Sequence, residues 1–177
     1  MKKFLWKIAL LIGLLMFSKN AYAEKIAVFK ISGQDYEVTT PYLNCAGKCD
    51  AALKDLKALQ KTIKDDYSYF EKKEKVTYAE MFDTDKNMDQ AIVNLDKVWI
   101  KIIQGAYNKE ILNEYVKTEE LLYKVQSDKF EKLFIGKNPN ILNYPEAIEK
   151  KREIFKNIRK NVDLHLKQVD FLRSKMI

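Results

Sequence analysis

Two cysteines, three prolines, five glycines and one histidine are the scarce residues of this 177-residue chain. Each scarcity excludes a class of chemistry. A single histidine, His165, cannot build the His-rich sites of zinc enzymes. As a general base it would also need a nucleophile and an orienting acid, and Asp163 and Lys167 point elsewhere on the helix it occupies. The few glycines form no phosphate-binding loop and no nucleophile elbow, and the cysteines form no haem-attachment motif. Asp83-x-Asp85-x-Asn87-x-Asp89 begins like a calcium loop. It has Met88 where the turn needs glycine and Asn94 where the bidentate glutamate belongs. It therefore reads as a solvated, capped helix start. Nothing in the chain calls for a metal or a cofactor. No internal repeat or low-complexity run occurs.

The one long apolar run is N-terminal. Lys2, Lys3 and Lys7 precede Ile8–Phe17, and Ala21-Tyr22-Ala23 supplies small residues before a cleavage point. Residues 1–23 are expected to be a secretory signal, leaving a mature start at Glu24. The run is short for a membrane span, which takes about 20 residues. The remaining 154 residues, 24–177, are expected to be one helical domain with an N-terminal hairpin over 24–40. The segment 1–23 holds four lysines and no acid. The mature chain then has 28 basic against 25 acidic residues, and its net charge falls from +7 to +3. Little support is left for a nucleic-acid partner. In an exported chain, Cys45 and Cys49 are expected to pair as a structural disulfide.

The rest of the chain is helical in period. Lys25–Ile31 and Asp35–Thr40 flank Ser32-Gly33-Gln34 and read as a hairpin, with Tyr36, Val38 and Thr40 on one face. Its free edges are a potential docking site for a partner strand. A first helix is expected from about Asp50 to Lys75, with Leu53, Leu56, Ile63, Tyr67 and Phe70 on one side. Asp83 is placed as the cap of a second, whose stripe is Met88, Ala91, Ile92, Leu95, Val98, Trp99, Ile102 and Ala106. Gly105 marks a close contact or a weak point, and Asn108 a break. Glu110–Ile135 forms a third helix, and Gly136-Lys137-Asn138-Pro139-Asn140 a loop. From Pro145 the chain runs to its end without another proline or a glycine. There Ile148, Phe155, Ile158, Val162, Val169, Leu172 and Met176 share one line with Lys151 and His165. Phe155, Ile158, Val162 and Val169 are expected to face other helices. The fold class is mainly α: an antiparallel bundle of about four helices with a small N-terminal β-hairpin.

Lys150, Lys151, Arg152, Lys156, Arg159 and Lys160 cluster in the last helix, diluted by Glu149 and Glu153. They are the candidate partner-binding residues, for an acidic protein surface or, more weakly, an anionic membrane surface. His165 is expected to be partly buried and bonded through one ring nitrogen, with a pH-sensitive contact as its alternative role.

The mature start Glu24-Lys25-Ile26-Ala27-Val28 is similar to the first strand of the Skp/OmpH periplasmic chaperones. That resemblance implies a holdase. The chain departs from the family in ending on a helix instead of the strand that completes its sheet, in having four helix segments, and in its two cysteines. The plan of a signal followed by a helical bundle with a small appendage also resembles minor pilus components of type IV secretion systems. The expectation is an exported, non-enzymatic binding or assembly protein of the bacterial cell envelope, within a secretion or conjugation apparatus. A periplasmic holdase and a hydrolase with unidentified acids are the alternatives.

Overall fold

The computed structural model describes residues 23–42, 45–72, 78–131 and 145–176. Residues 1–22 of the expected signal, Leu133, Phe134 and the loop at 136–140 lie outside the described residues. So do the side chains of Tyr78, Met81, Phe82, Asp83, Asp85, Ile148, Lys150, Lys151 and Ile154. The chain is mainly α. Two antiparallel strands, β1 (Lys25–Ile31) and β2 (Gln34–Thr39), precede four helices: α1 (Ala46–Glu71), α2 (Tyr78–Ile103), α3 (Lys109–Phe130) and α4 (Pro145–Ser174).

The hairpin closes through Ser32 and Gly33, both at positive φ (48° and 83°), between the paired residues Ile31 and Gln34. A two-residue turn of this kind matches the twist of the flanking strands. Alternation then points Ile31 and Val38 inward, and both join the core. Phe29 meets Phe171 of α4 edge-on, with ring centroids 5.7 Å apart. The hairpin thus covers one end of the helices.

α1 begins at Ala46, four residues before the expected start. Its N-cap, Cys45, makes no side-chain cap, and the first turn holds no acid. The Cys45–Cys49 disulfide ties the cap residue to that turn instead, with Cα atoms 5.2 Å apart. α2 begins at Tyr78, so Asp83 lies inside the helix and is not its cap. Tyr78-Ala79-Glu80-Met81 holds no helix breaker, and the helix runs back through it. Asn108 caps α3, its side-chain oxygen accepting from Ile111 N at 2.9 Å.

Gly105 ends α2 at φ 103°, where a Cβ would lie about 3 Å from Tyr42, Thr39 Oγ1 and Thr40 O. The close contact expected there is present. It lets Tyr42 N donate to Gly105 O at 3.0 Å, which pins the end of the hairpin segment to the bundle.

Consecutive helices run antiparallel. Asp55 meets Lys101 and Asp66 meets Asn87 across α1 and α2. Asn113 meets Arg173, and Tyr123 stacks on Phe155, across α3 and α4. α1 and α3 therefore run parallel, and a polar seam joins them. Gln60 Nε2 donates to Thr118 Oγ1 (2.9 Å), Tyr67 Oη donates to Asp128 (2.7 Å), and buried Lys129 pairs with Asp66. The core is centred on Trp99, Tyr107, Tyr115, Ile102, Ile103, Leu112 and Leu172, each almost wholly inaccessible. Among the described residues, no helix is long and apolar enough to cross a membrane.

Candidate functional site

α4 is not packed evenly along its line. Val169 and Leu172 are fully buried, whereas Phe155, Ile158 and Val162 are half-buried. The N-terminal half of the helix thus lies on the bundle's margin. Arg152, Lys156, Arg159 and Lys160 are all exposed there. Their spacing of four, three and one residues puts them on one face, away from the packed line. Arg152 pairs with Glu149 at 2.6 Å. Lys156, Arg159 and Lys160 have no ion-pair or hydrogen-bond partner among the described residues. The exposed acids Glu153 and Asp163 lie within one turn of these three cations without pairing to them, so the cations remain available to an incoming surface.

A second feature appears where α4 crosses α3. Glu119 of α3 is buried, at 3% exposure, on the apolar line between Tyr115 and Leu122. Its Oε1 accepts from Tyr115 Oη at 2.7 Å and lies 2.5 Å from His165 Nδ1. A carboxylate oxygen accepts, so in this contact the hydrogen lies on Nδ1. Trp99 of α2 stacks on Tyr115 (centroids 4.4 Å apart, planes at 26°) and donates from Nε1 to Gln168 Oε1 at 3.2 Å. Burial, reinforced by the Glu119 and Asp96 charges, holds the Tyr115 phenol well above its ordinary range, so it stays a neutral donor.

Glu119 and His165 line a cleft of about 400 Å³ between the hairpin turn and helices α2, α3 and α4. Asp96 lines it from α2 and accepts from Ser32 Oγ of the turn at 2.7 Å. A second groove, of about 490 Å³, runs between α1 and α2 over Leu59, Ile63 and Met88, with Asp55, Lys97 and Lys101 among its lining.

No family model, curated protein or solved structure matches this chain. The site therefore stands on its own geometry.

His165 takes the half-buried place expected of it and bonds through one ring nitrogen. Sequence reasoning does not single out Glu119, Tyr115, Asp96 or Gln168. A signal exists: Glu119 and His165 each interrupt an otherwise apolar line, at positions that face one another once α3 and α4 pack. The cysteines pair as expected and serve the start of α1, away from the cleft lining.

Proposed function

We propose that this chain is an exported, non-enzymatic binding or assembly protein of the bacterial cell envelope, working within a secretion or conjugation apparatus. In this reading it docks an acidic surface of an envelope protein through α4. One observation carries it: Arg152, Lys156, Arg159 and Lys160 form an exposed stripe on the half of α4 whose described apolar residues, Phe155 and Ile158, are only half-buried. Charge displayed where packing does not need it suits recognition, and it speeds encounter with an acidic partner. Residues 1–23 and the Cys45–Cys49 pair support the exported location. A net charge of only +3 on the mature chain argues against nucleic acid as the partner.

The test replaces Arg152, Lys156, Arg159 and Lys160 together with Gln in the native host. The expected outcome is a folded protein, with unchanged helical circular dichroism, that no longer co-purifies with its envelope partner. In the unaltered protein that association should weaken steeply with added salt. Co-purification that survives all four replacements overturns the reading.

The hydrolase alternative has one observation in its favour, the carboxylates Glu119 and Asp96 in a cleft with His165. Among the described residues, the one serine of the lining, Ser32, is engaged with Asp96. Binding is the simpler use of such a cleft.

A further inference from the structure

The cleft beside Glu119 is a built site that the docking of a protein on α4 does not use. Its volume lies in the range of small-molecule pockets, which runs from about 300 to 1,000 Å³. Its walls are apolar, with Ile31 from the hairpin, Leu95 from α2, Leu122 from α3 and Ile158 from α4. Among its polar residues are two carboxylates, Glu119 and Asp96. Both described bonds of Glu119 fall on Oε1, and the described bond of Asp96 falls on Oδ2. Each carboxylate therefore has a second oxygen with no described partner. Lys30 brings the one lysine of the lining, and its ammonium lies 3.9 Å from Asp35 on the exposed face of the hairpin.

A ligand matched to these walls must donate hydrogen bonds, carry positive charge and present an apolar body. We propose that the cleft binds a small amphipathic amine, with its ammonium group near Glu119 and Asp96 and its hydrocarbon part against Leu95, Leu122 and Ile158. An ammonium has three donors and no acceptor, which complements two half-used carboxylates. Desolvating the cation is offset by the two carboxylates, where a neutral or anionic head would leave them uncompensated. The apolar walls supply affinity in proportion to the chain they cover.

The test uses titration calorimetry on the mature chain, with hexylammonium as probe and hexan-1-ol and hexanoate as matched controls. Hexylammonium should bind at one saturable site, at least about tenfold more tightly than hexan-1-ol, since hydrogen bonds to charged groups contribute about that much. Asp96→Asn and Glu119→Gln should each weaken it about tenfold. Lys54→Ala, on the exposed side of α1, should leave it unchanged. Should Glu119→Gln fail to fold, Asp96→Asn carries the comparison alone, because Asp96 is only half-buried. Equal affinity for hexan-1-ol would reduce the site to an apolar cavity, and tighter hexanoate would reverse its charge preference. Either result, or the absence of saturable hexylammonium binding, overturns the proposal. Loss of the partner with the α4 stripe neutralised would leave it standing.

Discussion

At the scale of the residue, a buried polar group held by a specific partner behaves predictably, and Tyr107 is the clearest case. Tyr107 is 1% exposed, and its hydroxyl donates to Thr39 O at 3.0 Å. Burial pushes its phenol up to about 12, from an ordinary value of 10.0. The folded form therefore holds this proton more tightly than the unfolded form does. The resulting stability is complete below pH 10 and is lost as pH rises from about 10 to 12. Tyr107→Phe should be less stable at pH 8 by about 1 kcal/mol, the worth of its hydrogen bond. It should also lose stability less steeply between pH 10 and 12, by up to about 1.4 kcal/mol per pH unit. Urea unfolding of both proteins across that window checks this, and parallel profiles would contradict it.

Gly105 gives a second prediction at this scale. Its φ is 103°, and a methyl at this position would meet three atoms at about 3 Å, so no side chain fits. Gly105→Ala should cost more than about 1 kcal/mol. Part of that loss should appear as faster hydrogen exchange at Tyr42, whose amide bonds to Gly105 O.

At the scale of the element, α4 has two unlike halves. Leu172 is fully buried while Phe155 is half-buried against Tyr123. Leu172→Ala should cost about 2–5 kcal/mol, as truncation of a buried leucine does. Phe155→Ala should cost less than that, although phenylalanine is the larger residue. The sequence alone ranks Phe155 among the costly truncations, at about 3–5 kcal/mol, because period reports which face is apolar and not how deeply each turn is covered. Denaturant midpoints of the two variants decide between these rankings.

α1 depends on its disulfide at one end. The Cys45–Cys49 loop is very short, so the Cys45→Ser, Cys49→Ser double variant should lose no more than about 2 kcal/mol and keep its helical content. The loss should appear as fraying of the first turn of α1, because no side-chain cap takes over there. Hydrogen exchange at residues 46–50 measures it.

The elements themselves are legible from period. The stripe from Met88 to Ala106 and the line from Val162 to Met176 mark buried faces, and the glycine after Ser32 marks the hairpin turn. Two helix starts differ from those expected, for separate reasons. Cys45 is a poor cap by residue type, and only the covalent bond makes it serve. Asp83 is a good cap by type, but Tyr78–Phe82 continues the helix past it. The Glu119–His165 pair is not legible from either helix alone. Their sequence separation is 46 residues, and only the packing register of α3 on α4 brings them together.

At the scale of the whole molecule, the hairpin, the disulfide and the polar seam between α1 and α3 secure one end and one side of the bundle. The first half of α4 is left to display charge. The central claim is that this half of α4 meets the partner. The most direct measurement places a photoreactive residue at position 156 in the native host, with a control at position 68, on the exposed side of α1. Irradiation should join position 156 to one defined envelope protein, with a yield that falls as salt is raised, and should leave position 68 unlinked. Equal yields at the two positions, or no product at 156, would contradict the account.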